Sequence, residues 1–382
     1  MHLRLRKQGA LSLLRRTLAS AALFVLGANG AHAEGARKVI LDDDGFGIAQ
    51  WMVLQAAPET EVLGITSVSG NTWVKESAAY ALRSLEICGR TDVPVVLGAT
   101  YPLVNTEKTT ELWEALYGKL VWKGAWMKHW VEETVETLPK YHAPDVVPDL
   151  PDGNPVTKAA QEIAANFLIR KVREFPGQVS IIATGPLTNL ALAQRLDPEF
   201  AGLAKELVYM GGSLNPHQKL ANVSAEQFAR EFINSPRREF NIRFDPEAAS
   251  ITLRAPWKKI VMVPVDPSTA TQLTPDLLRR LSSGSTELAK TIRKREPGFP
   301  LWDEIASAIW LDPKLITQSK TLFIDAQTQF GPSYGDTLSW AKGYEPGLGE
   351  QIETVVIEVD VKGVEKLMVQ LMTRATPPVA RH

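Results

Sequence analysis

The sequence predicts a single α/β domain with a mostly parallel central sheet flanked by helices, the architecture of Rossmann-like open sheets. Strand-like runs alternate along the chain with helical segments, which is the pattern of right-handed βαβ units. No internal repeat, low-complexity segment or linker divides this series. We therefore predict one domain over residues 34–382, a length that suits one large α/β unit.

The first 33 residues have the three parts of a secretory signal peptide. A basic region without acidic residues is followed by the apolar run Leu18–Leu26 and by the A-x-A site Ala31-His32-Ala33. The apolar run is too short to span a bilayer as a helix. We expect cleavage after Ala33 and a periplasmic or secreted protein without stable membrane insertion. The alternative is a basic N-terminal arm, against which the A-x-A site argues.

The periodicity of the remaining chain predicts the elements in order. The predicted strands are 38–41, 61–67, 93–97, 178–183, 206–210, 259–263 and 353–358. The predicted helices are 48–57, 73–88, 157–174 with Thr157 as its cap, a helix opened by 184–190, 246–253, 273–295, 302–311 and 363–373.

Residues 105–156 depart from this alternation and predict a lid-like excursion of short helices and loops. Four tryptophans fall within it: Trp113, Trp122, Trp126 and Trp130. Their rings either stack on an aromatic ligand or close a small local core, and the sequence leaves both readings open.

Charge and cysteine content narrow the class of partner. The net charge of −1 gives no indication of nucleic acid or an anionic membrane surface as partner. The single cysteine, Cys88, excludes an internal disulfide and lies in an apolar helical pattern, which favours a small buried hydrophobe over a nucleophile.

Polar residues follow the predicted strands at the edge where parallel α/β sheets bind ligands. Asp42-Asp43-Asp44 ends the first strand, and alternation places Asp42 and Asp44 on one face with Asp43 turned away. Two carboxylates at a strand end suit a hard cation such as Ca²⁺. The alternative is a solvated acidic turn.

Four further segments carry candidate ligands, each with a structural alternative. Asn71 binds a substrate hydroxyl or caps the next helix, and Thr184 offers a carbonyl oxygen to calcium or only forms a turn. Asp303 is a helix cap or a ligand at a helix N-terminus. Alternation places Glu239 and Asn241 on one face, where an acid and an amide can hold sugar hydroxyls.

The joint order of these segments resembles the inosine–uridine-preferring nucleoside hydrolase family, from about Lys38 to the C-terminus. The resemblance rests on Lys-Val-Ile-Leu-Asp42 with Asp44, Glu61-Val-Leu-Gly-Ile-Thr, the Asn71 turn, Ala183-Thr-Gly-Pro-Leu-Thr-Asn-Leu-Ala191, Val208-Tyr-Met-Gly-Gly212, Glu239-Phe-Asn-Ile, Asp245-Pro-Glu-Ala248 and Asp303.

The resemblance implies roles position by position. Asp44 matches the aspartate that contacts the metal and takes the proton of a bound water. Asp303 matches a metal ligand, and Thr184 matches the residue that gives a backbone oxygen to calcium. The positions matched to sugar contacts are Asn71, Glu239, Asn241 and Asn234, the last with a spacing to Glu239 one residue short of the usual pattern.

The chain departs from the family where Asp-x-Asp-Pro-Gly-x-Asp-Asp is usual. Ile48 replaces a sugar-binding aspartate and Ala49 a calcium ligand, while Trp302 replaces the usual histidine. The chain therefore looks like a divergent, exported branch of the family. With Asp42, Asp44, Asp303 and the Thr184 carbonyl remaining, and water completing the shell, we expect Ca²⁺ to be held weakly.

Two hypotheses follow. The first is an enzyme that hydrolyses the N-glycosidic bond of a nucleoside or related glycoside, with water activated by Asp44 and Ca²⁺ and the base stacked on Trp302 or the lid tryptophans. The alternative, motivated by Ile48 and Ala49, is a non-catalytic extracytoplasmic nucleoside- or sugar-binding protein on the same fold. The resemblance leaves a homo-oligomer open.

Overall fold

The computed structural model describes residues 35–45, 47–128, 140–214 and 238–375. The strands of the described chain are β1 (Arg37–Asp43), β2 (Thr60–Ser67), β3 (Val95–Leu97), β4 (Ala160–Ile163), β5 (Val179–Ala183), β6 (Glu206–Met210), β7 (Ile260–Val263), β8 (Ile316–Ala326), β9 (Thr337–Trp340) and β10 (Gln351–Val359).

The helices of the same residues are α1 (Ile48–Gln55), α2 (Val74–Ile87), α3 (Glu107–Tyr117), α4 (Ala164–Glu174), α5 (Thr188–Leu196), α6 (Phe200–Leu203), α7 (Phe240–Phe244), α8 (Pro246–Leu253), α9 (Val265–Ser268), α10 (Pro275–Leu281), α11 (Glu287–Ile292), α12 (Asp303–Leu311) and α13 (Val361–Met372). Two 3₁₀ turns occupy Gly124–Trp126 and Pro313–Leu315. None of the described helices is both long and apolar enough to cross a membrane.

One ten-stranded sheet forms the centre of the molecule, in the order β4-β3-β2-β1-β5-β6-β7-β10-β8-β9. The pairs from β4 to β10 are parallel, and only β8 and β9 add antiparallel pairs at one edge. The predicted α/β class with a mostly parallel central sheet is therefore confirmed. The strand order reverses between β1 and β5, which is where open α/β sheets bind ligands.

Successive side chains of β1 alternate between two apolar layers on opposite faces of the sheet. Val39 and Leu41 join the layer under α1, α2 and α12, whereas Ile40 joins the layer under α4, α5 and α8. Burial on both faces explains why β5 and β6 are almost continuously apolar and why β1 is apolar at its centre, residues 39–41. This double layer fixes the strand ends that carry the polar residues.

Two predicted helices are wrong in detail, and two strands were missed. Residues 157–174 are not one helix, because Ala160–Ile163 form the half-exposed edge strand β4, and Thr157 instead bonds Glu86 Oε1. The predicted helix 273–295 is two helices, since Ser282 bonds back to Leu278 and ends α10. The antiparallel strands β8 and β9 were not predicted at all.

Candidate active site

The carboxyl ends of β1, β2, β5 and β6 meet at the point where the strand order reverses. Asp42 lies opposite Thr66 on one neighbour and Ala183 on the other, and the backbone N–H of Thr184 donates to the Asp42 carbonyl at 2.8 Å. The parallel register thus brings the acidic triplet next to the Thr184 turn. All three aspartates are buried, so the alternative of a solvated acidic turn is wrong.

Asp42 is enclosed by protein. Its Oδ1 accepts from Thr66 Oγ1 at 2.5 Å and from Asn189 Nδ2 at 2.8 Å. Its Oδ2 has no hydrogen-bond partner among the described residues. Burial raises the pKa of Asp42 to about 7. Its assignment as a metal ligand stays a prediction.

Asp43 points away from Asp42, as alternation predicts, and ties the loop before α1 together. Its carboxylate accepts from the Gly45 N–H at 2.9 Å, from Gln50 Nε2 at 2.7 Å and from Thr184 Oγ1 at 2.7 Å. Burial nevertheless raises the pKa of this carboxyl. Sequence reasoning gave Asp43 no role, whereas in the structure it joins three parts of the site.

Asp44 is fully buried and held by Asn71. Its Oδ2 accepts from the Asn71 backbone N–H at 2.7 Å and its Oδ1 from Asn71 Nδ2 at 3.1 Å. Two glycines wall it in: a Cβ on Gly70 would lie 2.1 Å from Asp44 Oδ2, and one on Gly185 would lie 2.7 Å from Asp44 Cβ. Burial, and then the charge of Asp43, raise the pKa of Asp44 well above its usual range.

Asp303 is the first residue of α12 and does not cap that helix through its side chain. Burial raises its pKa well above the usual range, and the charges of Glu304, Asp44, Asp43 and Glu239 raise it further. Asp303 and Asp44 therefore lie close enough for the charge of one to affect the pKa of the other. The sequence predicted that pairing from two segments about 260 residues apart.

Glu304 is an additional acid of this neighbourhood that sequence reasoning missed. Its carboxylate accepts a hydrogen bond from the backbone N–H of Ile48, at the start of α1, and burial raises its pKa to about 7. Ile48 and Ala49, which stand where the family has aspartates, are 5% and 2% exposed and pack as apolar residues. A carboxylate is therefore present beside α1, but it belongs to α12.

The segment around Glu239 is helical, so the prediction of an alternating, extended segment is wrong. Glu239 caps α7, and its carboxylate accepts from the backbone N–H groups of Gly212, Asn241 and Ile242. Asn241 Nδ2 donates to the carbonyls of Met210 at 3.0 Å and Thr184 at 3.2 Å. Both residues thus border the site but also fix its backbone.

The Thr184 carbonyl and the Asp245 carboxylate are both held by hydrogen bonds from neighbouring segments. The carbonyl of Thr184 accepts one bond from Asn241 and retains a second lone pair. Asp245 caps α8 by accepting from the Ala248 N–H at 3.1 Å. It also accepts from Thr188 Oγ1 and the Leu103 N–H, which anchors the start of the excursion.

The described tryptophans of the excursion divide between core and site. Trp126 is 3% exposed and stacks on Phe244 with ring centroids 4.3 Å apart. Trp113 is 5% exposed and packs with Leu120 and Tyr334. Trp122 is only half-buried, and its Nε1 donates to Asn71 Oδ1 at 2.8 Å. The local-core reading therefore describes Trp113 and Trp126, and Trp122 contacts the site.

Trp302 immediately precedes α12 and is partly buried against the apolar layer under α1. Its stacking on a base stays a prediction. Trp130, Asn234 and the signal peptide fall outside the described residues.

A hard dication fits the donor chemistry of this site. Asp44, Asp303 and the Thr184 carbonyl are oxygen donors, and the partners recorded for the three strand-end aspartates are hydroxyls, amides and backbone N–H groups. A dication would relieve the repulsion that raises the pKa of Asp303. The described chain holds no cluster of three or more His, Cys, Asp or Glu arranged for a metal. With Asp44 and Asp303 as the carboxylates, carbonyl and water oxygens would have to complete a calcium shell of about six to eight ligands.

Comparison with known proteins agrees with this geometry. Residues 39–366 match the inosine-uridine preferring nucleoside hydrolase family. Uridine nucleosidase 1 of Arabidopsis thaliana is 30% identical over 86% of this chain and 90% of its own length. The inosine-uridine preferring nucleoside hydrolase of Crithidia fasciculata is 30% identical over 66% and 68% of the two chains.

Solved structures share the fold. A plant nucleoside hydrolase is 25% identical, with a TM-score of 0.65 over 89% of this chain and 99% of the other. A purine-preferring ribonucleoside hydrolase from Gardnerella vaginalis, at 21% identity and a TM-score of 0.63, covers 88% of this chain and 99% of its own, and supports the fold alone.

The fold, the acidic site at the reversal point and these relatives define a hydrolase that acts on N-glycosyl compounds. The chain belongs to the inosine-uridine preferring nucleoside hydrolase family, whose members are generally metal-dependent.

Proposed function

We propose that this protein hydrolyses the N-glycosidic bond of a ribonucleoside, with Asp44 as the group that takes the proton from the attacking water. The observation that carries the proposal is the fully buried Asp44 carboxylate at the sheet reversal, oriented by two donors of Asn71. Relatives named for uridine and for inosine and uridine make these two nucleosides the first candidates.

Asp44, Asp303 and the Thr184 carbonyl would hold Ca²⁺. When bound, the ion would neutralise the acidic site and lower the pKa of a water in it. Asp44 would accept a proton from the attacking water, because its carboxylate is oriented by the two donors of Asn71. The loss of a carboxylate at Ala49 predicts weaker ion binding than a full set of aspartates would give.

The residues proposed to hold the sugar include fewer polar groups than the family pattern. The side chain of Ile48 offers no hydrogen bond, and Asn71 retains one N–H of its amide for a hydroxyl. We infer that Asn71 and Asn241 contribute to sugar binding and that Trp302 stacks on the base as it departs. We further propose that the protein is exported and cleaved after Ala33.

A nucleoside panel with and without calcium tests this proposal. Purified protein is freed of metal with EDTA, and free base and reducing sugar are measured on uridine, inosine, adenosine and cytidine. We expect turnover that EDTA abolishes and Ca²⁺ restores, with saturation giving the affinity of the ion. Calorimetric titration of Ca²⁺ measures the same affinity without relying on activity.

Two variants separate the roles of the first-strand aspartates. Asp44→Ala should lower kcat by about 10² to 10⁴, the range of a lost general base, while circular dichroism stays unchanged. Asp42→Asn should fold and retain more activity, since an amide oxygen can still accept from Thr66 and Asn189. Unchanged turnover by Asp44→Ala would refute the mechanism. Nucleoside binding without turnover on any substrate would instead support the binding-protein alternative.

A further inference from the structure

A chain of hydrogen bonds joins the excursion to the carboxylate of Asp44. Trp122 Nε1 donates to Asn71 Oδ1 at 2.8 Å. Asn71 in turn donates to both oxygens of Asp44, through its backbone N–H at 2.7 Å and its Nδ2 at 3.1 Å. The excursion thus contacts the proton acceptor through one intervening side chain.

The chemistry of the three groups allows one orientation of the Asn71 amide. An indole N–H can only donate, and an ionised carboxylate can only accept. The amide must therefore turn its oxygen to Trp122 and its nitrogen to Asp44. If the indole donor were absent, the amide oxygen would lose its partner, and the amide would be free to rotate away from Asp44.

Trp122 is itself held from two directions. Its ring meets Phe240 edge-on with centroids 6.2 Å apart, and its carbonyl accepts a bond from Arg243. Both partners belong to α7, the helix that Glu239 caps. The excursion therefore fastens Trp122 to α7 on one side and to the turn after β2 on the other.

The backbone beside Trp122 is docked on the same turn. The Ala125 N–H donates to the Gly70 carbonyl at 2.9 Å. Gly124 has a φ of +54°, and a Cβ at this position would lie 2.1 Å from that carbonyl oxygen. Glycine is thus required both for the backbone conformation and for the close approach.

We propose that Trp122 is a positioning residue, which acts through Asn71 to hold the Asp44 carboxylate in the orientation that accepts the water proton. This rests on the proposed role of Asp44. It differs from stacking on the base, since the group responsible is the indole N–H and the residue it acts on is Asn71. The orientation of the Asp44 carboxylate then depends on the contact between the excursion and Asn71.

Trp122→Phe removes the N–H and keeps an aromatic ring for Phe240. We expect kcat on uridine or inosine, whichever is turned over faster, to fall about threefold to tenfold with KM changed less than twofold, as for a lost neutral hydrogen bond. The matched control is Trp113→Phe, which deletes an indole N–H bonded at 2.8 Å to the Gly331 carbonyl within the same excursion. Its kcat should stay within twofold of the wild type.

A double-mutant cycle identifies the route. In the Asn71→Ala background, Trp122→Phe should cause no further loss of kcat, because the residue through which it acts is gone. Equal losses in both backgrounds would overturn the proposal, as would an unchanged kcat for Trp122→Phe. A raised KM alone would overturn it in favour of direct substrate contact. Because Asp44→Ala tests the base separately, an inactive Asp44→Ala with a fully active Trp122→Phe would refute only the inference about Trp122.

Discussion

Gly70→Ala adds a single methyl group against the wall of Asp44. The new Cβ would lie 2.1 Å from Asp44 Oδ2 and 2.6 Å from Pro186 Cδ, far inside any ordinary contact. Relief requires the carboxylate or the turn to move by about 1 Å, and a displacement of that size at a reacting group costs about 10² in rate. The overpacking itself should cost about 1–3 kcal/mol of the free energy of unfolding.

The assay is kcat on the preferred nucleoside together with thermal unfolding, measured beside Gly202→Ala. Gly202 lies in α6, and the nearest atom to its Cβ position is the Pro256 carbonyl oxygen at 3.7 Å. That control should keep full activity and gain about 0.5–1 kcal/mol, since alanine is the better helix former. A Gly70→Ala enzyme with wild-type kcat would show that the glycine wall does not set the position of Asp44.

Three further outcomes follow from the structure. Burial raises the pKa of Glu353 to about 8, so the folded state keeps a proton that the unfolded state releases, and stability is lost as pH rises from about 4.5 to about 8. Glu353→Gln should remove that loss. The measurement is the unfolding temperature as a function of pH, and an equal slope in wild type and variant would contradict the prediction. Trp126→Ala should lose about 3–5 kcal/mol in denaturant unfolding, whereas Trp122→Ala should lose less stability and more turnover. Intact mass of the exported protein should correspond to cleavage after Ala33, and a mass that includes Met1 would exclude it.

The sequence predicted the strands that are buried on both faces. β5, β6 and β7 are short, nearly continuous apolar runs, and β1 and β2 are apolar at their centres. Short apolar runs of this kind are typical of buried strands. The edge strands escaped prediction because one side of each faces solvent. The first half of β8 is largely exposed and polar, so its pairing with β10 comes from tertiary contacts that the local sequence does not show.

The candidate residues of the site could be selected from the sequence, but the orientations and contacts of their side chains could not be predicted. Asp44 ends a parallel strand at the edge where such sheets bind ligands, and its charge helps to raise the pKa of Asp303 at the start of α12. Glu239 caps a helix and does not lie in a strand, because its carboxylate accepts hydrogen bonds from three backbone N–H groups, two of them at the start of that helix. The approach of Trp122 to Asn71 depends on how a long excursion folds back, which no local pattern predicts.

The burial of α1 limits which substitutions the helix can accept. All eight of its residues are buried, and the helix packs against α12. Ala49→Asp would place an extra carboxylate at a buried position, close to a Glu304 that already bonds the start of the same helix. Aspartate at this position should be tolerated only together with a second substitution, such as loss of the Glu304 charge. Engineering a fuller set of metal ligands would therefore have to alter α1 and α12 together.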